Sequence, residues 1–194
     1  MATAETNPPP RERILRIAID LFYRQGIRAT GINQIIAESG VAKASFYTHF
    51  PSKDDLVVAY AEHLADHEIA ELRVVASEGA TARERLLAPL RSLEPWFQSS
   101  GYRGCPFQNL AAEVPPETPG IGRVVRRHRE NLRSLFRELI GEVIIDEKLK
   151  ANPEALADTA LLMFEGAIAV SVAYRQAWPV EHAIGDLERL LHES

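Results

Sequence analysis

The chain has 194 residues, of which 46% are apolar and 25% are charged, and this composition excludes a disordered or fibrous protein. Such a length can bury the core of one or two domains. The net charge of −5 by itself argues against a nucleic-acid partner, but the charge is unevenly distributed. Residues 1–53 hold seven Lys and Arg against four acids, a net +3, and the remainder holds 15 against 23, a net −8. A basic end on an acidic body suits a protein that presents that end to a polyanion.

The chain contains one cysteine, Cys105, which excludes an intrachain disulfide framework. Its N-terminus lacks the basic-then-apolar pattern of a signal peptide, and no apolar run is expected to approach membrane-spanning length. We therefore expect a cytoplasmic protein without a membrane partner, and the sequence indicates no cofactor.

The first predicted element is a flexible arm, residues 1–9, which is polar and runs into three prolines. A helix from Pro10 to about Gln25 follows, with apolar residues along one stripe, and Gly26 ends it. We expect this helix to cover the apolar face of the next one.

Residues 32–50 are typical of two short helices joined by a tight turn. Isoleucines at positions i, i+3 and i+4, starting at Ile32, give the first helix an apolar face. Gly40 can end that helix by adopting a left-handed conformation. Thr30 or Gly31 can begin it, with the Thr30 hydroxyl available to cap the first turn.

The second short helix, from about Ala42 to His49, is expected to bury Phe46 and to expose a face without a carboxylate. That face carries a cation, two hydroxyls, a phenol and an imidazole: Lys43, Ser45, Tyr47, Thr48 and His49. The cation, phenol and imidazole can donate to phosphate oxygens, and the hydroxyls can reach base edges in a major groove. Spacing alone is equally consistent with an ordinary helical hairpin that has a polar face.

Residues 29–56 resemble the DNA-binding domain of the TetR family of one-component transcriptional regulators, in the stretch ATGINQIIAESGVAKASFYTHFPSKDDL. The most specific part is similar to the family's aromatic-Tyr-x-His-Phe-x-x-Lys signature, here FYTHFPSKDDL. The resemblance implies an all-α protein of about nine helices. It implies a three-helix helix-turn-helix domain at residues 10–53 and a larger helical ligand-binding and dimerisation domain at residues 54–194. The DNA-binding residues it implies are Thr30, Lys43, Ala44, Ser45, Tyr47, Thr48, His49 and Lys53.

Two positions depart from the family's usual pattern. Ala42 stands where a serine commonly caps the recognition helix, so that cap is expected to be missing. Ile36 stands where many helix-turn-helix units place a small alanine, so the two helices are expected to cross slightly further apart.

A long fourth helix is predicted from Ser52, its N-cap, to about Ala76 or Ser77. In the family that the chain resembles, this helix transmits ligand binding to the DNA-binding domain. His63 and His67 lie four residues apart on it, a spacing that can share a metal ion. The segment lacks the glutamate of a zinc-protease helix and shows no third ligand nearby, so we predict ordinary pocket or surface histidines and no metal site.

A helix from Ala82 to about Gln98 comes next, and a short helix begins at Pro106. The residues Gly104-Cys105 followed by Asn-Leu-Ala resemble a motif in one TetR subgroup, although Gln108 replaces the expected small residue. Cys105 precedes a helix N-terminus, where the pKa of a thiol falls, so a redox or electrophile sensor is an alternative to a small buried residue.

Arginines cluster on the exposed side of a helix predicted from about Ile121 to Ile145. Glutamates interleave with them at salt-bridge spacings, which indicates a solvated face and no second DNA site. The last two helices, about Pro153 to Ala177 and from Pro179 to about Leu191, are rich in small residues that permit close helix approach. The family forms its dimer there, as a four-helix bundle, but a helix buried inside one subunit would look alike.

Aromatic side chains with a few polar groups can line a pocket for a hydrophobic small molecule, and the same side chains can simply be the core. The ligand-binding candidates are Trp96, Phe97, Tyr102, Cys105, Phe107, Asn109, Met163, Phe164, Tyr174 and Trp178.

The sequence thus predicts a ligand-responsive transcriptional regulator, a repressor by resemblance, which binds a pseudo-palindromic operator in double-stranded DNA as a homodimer. An unknown small hydrophobic effector is expected to release it. An enzyme would need a nucleophile–base or metal constellation, and apart from the His63/His67 pair and Cys105 none is visible, so we predict no enzyme. A helical protein-interaction module without DNA affinity is the remaining alternative.

Overall fold

A computed structural model describes residues 8–115, 117–118 and 120–193, so the predicted arm lies outside the described residues except for its last two prolines. Within these ranges the chain forms ten α-helices and no strand, which confirms the all-α class. The helices are α1 Pro10–Gln25, α2 Ile32–Ser39, α3 Lys43–His49, α4 Lys53–Ser77, α5 Ala82–Arg91, α6 Leu93–Ser100, α7 Pro106–Glu113, α8 Ile121–Glu147, α9 Pro153–Tyr174 and α10 Trp178–His192.

The segment predicted as one helix from Ala82 to Gln98 is two helices, α5 and α6, separated at Ser92. Pro95 explains the break because it has no N–H for the carbonyl of Arg91, and its ring would clash with that carbonyl in a continuous helix. Pro95 sits in the first turn of α6, where a missing N–H is tolerated. The single-helix prediction was therefore wrong at this point.

The chain forms two compact units. The head unit contains the described residues up to Leu64 together with Pro106–Val125, and the body unit contains Ala65–Cys105 together with the described residues from Arg126. The predicted boundary between residues 53 and 54 differs from these limits. The first half of α4, all of α7 and the start of α8 group with the helix-turn-helix segment.

In the head unit, α1 packs against α2 and α3. The buried side chains at this junction include Phe22, Ile35, Phe46 and Phe50. This arrangement confirms that α1 covers the apolar face of α2. Gly40 ends α2 with φ of 64°, in the left-handed conformation that was predicted.

Thr30 does not cap α2. Its side chain is fully buried, and its hydroxyl donates to the carbonyl oxygen of Gly26 at 2.7 Å. The residue at the N-cap of α2 is Gly31, and the described residues supply no side-chain cap there. The predicted cap was wrong because the free carbonyls at the end of α1 lie within reach of the hydroxyl and take its hydrogen bond.

In the body unit, α10 packs against α9 and α5. The helix α9 has 22 residues and is long and apolar enough, by length and composition, to cross a membrane. The expectation that no apolar run approaches that length was therefore wrong. A core helix of a soluble protein passes the same test, and one face of α9 is buried in this unit at positions such as Leu156, Phe164 and Ile168.

The charges of α8 pair with other helices. Arg133 pairs with Asp158 of α9, and Glu138 accepts from Arg73 of α4 at 2.6 Å. These partners differ from the pairing along α8 that the interleaved spacing predicted. Arg73 and Arg133 therefore link α8 to α4 and to α9 at the surface of the body unit.

Candidate nucleic-acid interface

Helix α3 is anchored by aromatic contacts on one side and is open to solvent on the other. The Phe46 ring is fully buried and lies 5.3 Å from the ring of Tyr47 and 6.2 Å from that of Phe50. The Tyr47 side chain is 42% exposed. Because Phe46 fixes the rotation of this short helix, the side chains on its opposite face have defined directions.

The outward face of α3 holds the residues predicted from the sequence. Lys43, Ala44, Tyr47 and Thr48 are exposed, and Ser45 and His49 are partly exposed. No Asp or Glu occurs among the seven residues of α3. A surface of this kind lacks the groups that repel phosphate.

Thr48 has a restricted role in hydrogen bonding. Its hydroxyl donates to the carbonyl oxygen of Ala44 at 3.0 Å, one turn earlier in α3. The oxygen lone pairs remain available, so in this geometry Thr48 presents an acceptor to any group that approaches the helix.

The start of α4 adds a rigid polar corner beside α3. The Asp55 carboxylate accepts from the backbone N–H of Ser52 at 3.0 Å and from its hydroxyl at 2.7 Å. The Ser52 hydroxyl in turn accepts from the backbone N–H of Asp55 at 3.1 Å. This reciprocal cap fixes the first turn of α4, where Lys53 is partly exposed.

Arg11 is a cation of this surface that sequence reasoning missed. Its guanidinium lies 5.3 Å from the ring centroid of Phe50, the residue directly after α3. A cation over an aromatic face is held in place by the ring quadrupole. The only sequence signal for Arg11 was the excess of basic residues in this part of the chain.

Thr30 does not belong to this surface, because its side chain is fully buried under the α1–α2 loop. His63 is partly exposed and His67 is exposed. Among the residues that the structure describes, no group of three His, Cys, Asp or Glu side chains is placed to hold a metal ion.

The ligand candidates are divided between the two units. Phe97, Cys105 and Phe164 are buried in the body unit, where Tyr102 stacks on Phe97 with ring centroids 5.1 Å apart. Trp96 and Met163 are partly exposed in the same unit. Phe107 is buried in the head unit, where Asn109 is partly exposed.

Tyr174 and Trp178, the last two candidates, lie on the surface of the body unit. They are 63% and 41% exposed and pack edge to face with centroids 5.6 Å apart. An open recess of about 400 Å³ in this unit is lined by other residues, among them Val75 and Arg91.

Glu68 and His128 are a further pair that the sequence pattern did not indicate. In the body unit the Glu68 carboxylate lies 3.4 Å from Nε2 of the fully buried His128. Burial raises the pKa of Glu68 to about 7, against the opposing effect of Arg129. Burial and the Arg129 charge lower the pKa of His128 to about 4.

Two models of known protein families match this chain. Residues 14–60 match the family model described as "Bacterial regulatory proteins, tetR family", and residues 82–187 match "Tetracyclin repressor-like, C-terminal domain". The second match alone covers more than half of the chain.

Relatives and solved structures agree with the two family models. The chain is 28% identical over 186 residues to the HTH-type transcriptional regulator LmrA of Bacillus subtilis, covering 93% of this chain and 96% of LmrA. It is 24% identical over 166 residues to the HTH-type transcriptional repressor DhaR of Mycobacterium sp., covering 82% and 81% of the two chains. The crystal structure of SCO4454, a TetR-family regulator from Streptomyces coelicolor, superposes with a TM-score of 0.82 at 29% identity, covering 98% and 92%.

The buried anchor of α3, its carboxylate-free outer face and these full-length similarities agree with one another. The chain therefore belongs to the TetR family of bacterial transcriptional regulators, which are DNA-binding helix-turn-helix proteins and not enzymes.

Proposed function

We propose that the protein is a cytoplasmic, ligand-responsive transcriptional repressor that binds a pseudo-palindromic operator as a homodimer. The observation that carries the proposal is the outward face of α3, which is exposed, free of carboxylates and flanked by cations. Support for repression comes from the relative DhaR, which is named a transcriptional repressor.

The proposed DNA contacts divide into two kinds. Lys43, Tyr47, His49 and Lys53 bind phosphate oxygens, since each can donate a hydrogen bond without adding negative charge. Arg11 joins them because the Phe50 ring holds its guanidinium beside α3. Phosphate contacts fix the register of α3 on the duplex but do not select a sequence.

The proposed base contacts are Ala44, Ser45 and Thr48. The Ala44 methyl suits contact with a thymine methyl group. Thr48 already donates its hydroxyl hydrogen within α3, so it is an acceptor for an exocyclic amino group of adenine or cytosine. Ser45 is partly exposed and can donate or accept.

The proposed dimer interface lies on α9 and the start of α10. Leu162 is 73% exposed and Val170 is 36% exposed on α9. Exposed Gly166, Ala169 and Ala173 fall on the same side at helical spacing. An exposed apolar stripe with small residues admits close approach of a second helix, and a second copy of the chain fits it.

Two-fold symmetry places two copies of α3 roughly 34–36 Å apart, in successive major grooves. A small hydrophobic effector releases the dimer by binding better to a state whose α3 spacing does not fit the operator. The loss of DNA affinity is limited to that difference in effector affinity. The proposed effector contacts in the body unit are the aromatic residues Trp96, Phe97, Tyr102 and Phe164, together with Met163.

A sensor based on Cys105 is not favoured, because the thiol is only 2% exposed and an oxidant or electrophile must reach it. The experiment that tests the proposed function is selection of bound sequences from random duplex DNA with the purified protein. We expect an inverted repeat to be recovered. A protein-interaction module would recover no sequence, even at low ionic strength.

A further inference from the structure

Glu113, the last residue of helix α7, contacts the α1–α2 loop within the head unit. The backbone N–H of Arg28 donates to the Glu113 carboxylate at 3.0 Å. The Arg28 side chain donates through Nε to the main-chain carbonyl oxygen of Glu113 at 2.8 Å. The two residues are 85 positions apart in the chain, and both lie in the head unit.

The Glu113 carboxylate lies against Gly26 of the α1–α2 loop. Gly26 has φ of 95°, and a Cβ built there would lie 3.0 Å from both carboxylate oxygens of Glu113. Glycine therefore serves two purposes at this position: it adopts the positive φ and leaves room for the carboxylate.

The same loop is held from inside by Thr30. Its hydroxyl donates to the carbonyl oxygen of Gly26, the residue against which the Glu113 carboxylate lies. Five residues after Gly26 the chain reaches Gly31, the N-cap of α2. Glu113 and Thr30 thus fix the conformation of a loop that leads directly into the helix-turn-helix.

The segment that carries Glu113 makes a second contact within the head unit, with α4. Gly120 approaches α4 so closely that a Cβ built there would lie 3.1 Å from a methyl group of Val58. In the chain, the segment Pro106–Val125 is preceded by Cys105 and followed by Arg126, and both belong to the body unit. It is therefore covalently continuous with the body unit at both ends and attached to the helix-turn-helix through Glu113.

We propose that Glu113 is a positioning residue for operator binding, which holds the α1–α2 loop so that α2 and α3 meet the DNA in a fixed orientation. This inference rests on the proposed function. Glu113 does not touch DNA in this account; it acts through the loop. A shift of α7 would loosen the loop and weaken recognition of the operator.

The test compares Glu113→Ala, Glu113→Gln and Glu117→Ala on the full-length protein. Glu113→Ala removes both carboxylate oxygens and leaves the Arg28 N–H without that acceptor. Glu113→Gln keeps an acceptor oxygen of the same reach. Glu117→Ala is the matched control, since it removes an exposed carboxylate four residues further along.

The probes are an operator duplex recovered by the random-sequence selection and an unrelated duplex of equal length. We expect Glu113→Ala to bind the operator roughly tenfold more weakly, the size expected for a lost charge-assisted hydrogen bond. Its affinity for the unrelated duplex should be unchanged, because non-specific binding depends on the phosphate-contacting cations. Glu113→Gln should recover most of the loss, and Glu117→Ala should match the unchanged protein.

Equal loss of affinity for both duplexes would overturn the inference, since it would indicate general destabilisation. Operator binding by Glu113→Ala at full strength would overturn it as well. If Glu113→Ala does not fold, Glu113→Asp replaces it, because the shorter carboxylate keeps the charge but not the reach. If the unchanged protein recovers no operator, the proposed function fails instead.

Discussion

At the scale of single residues, the pair of Glu68 and the fully buried His128 shows how one environment moves two ionisable groups in opposite directions. Burial disfavours the charged form of both, so the pKa of Glu68 rises from 4.5 to about 7 and that of His128 falls from 6.5 to about 4. Between about pH 4.5 and 6.5 the folded protein keeps the Glu68 side chain protonated and the His128 side chain neutral. The unfolded chain holds the opposite protonation states.

The two groups therefore have opposing effects on stability between about pH 4.5 and 6.5. As pH rises through this window, Glu68 lowers the free energy of unfolding and His128 raises it, so their contributions nearly cancel. We expect Glu68→Gln to leave His128 unopposed, so that the variant loses stability as pH falls from 6.5 to 4. His128→Gln should show the reverse, losing stability as pH rises from 4.5 to 7.

The measurement is chemical denaturation of the three proteins at several pH values, with the unchanged protein subtracted so that other titrating groups cancel. The opposite signs of the two difference curves are the test. Parallel curves for the two variants would mean that burial does not set these pKa values.

The proposed phosphate contacts are also tested residue by residue. We expect Lys43→Ala and Tyr47→Ala each to lower operator affinity by about tenfold without unfolding the protein, because both side chains are exposed. Lys43→Ala should also flatten the dependence of log affinity on log salt by about 0.9, the value for one lost phosphate contact. Lys150→Ala, an exposed lysine of the body unit, is the control. Binding curves that do not change for either variant would remove these residues from the interface.

At the scale of helices, helix bounds that depend on the spacing of nearby residues could be predicted. A hydrogen bond for which the ends of two helices compete could not. The bounds of α1 and α2 followed from an apolar stripe and a terminal glycine. The role of Thr30 was predicted wrongly, because its hydroxyl had two groups within reach, the start of α2 and the end of α1, and only the fold decides between them. The break between α5 and α6 was predictable from Pro95, which cannot donate to the carbonyl oxygen of Arg91.

The exposed apolar side of helix α9, which includes Leu162, is the proposed dimer interface. We expect Leu162→Glu to convert the protein from a dimer to a monomer, because it would place a charge in the centre of the proposed apolar interface. The fold should persist, since Leu162 is 73% exposed within the chain. Sedimentation velocity at micromolar concentration measures the change.

The matched control for that variant is Ile145→Glu, which adds the same charge at an apolar residue of α8 that is 80% exposed. It should remain dimeric. Dissociation by Ile145→Glu and not by Leu162→Glu would assign the interface to another face of the body unit.

At the scale of the whole molecule, the all-α class and the exposed, carboxylate-free face of α3 were predictable because both depend on residues close together in the chain. The grouping of Pro106–Val125 with the head unit was not, since it depends on contacts such as Arg28 with Glu113 across 85 residues. Periodicity describes one helix at a time and carries no information on such distant partners. The pair Glu68 and His128 was missed for the same reason, because the two residues lie on different helices.

The central claim is that two copies of α3, supplied by two chains, bind one duplex. Its most direct measurement is the mass of the complex that the purified protein forms with a recovered operator, determined by sedimentation equilibrium at low ionic strength. We expect two chains per duplex. One chain per duplex, or no complex, would contradict the claim that two copies of α3 bind one operator.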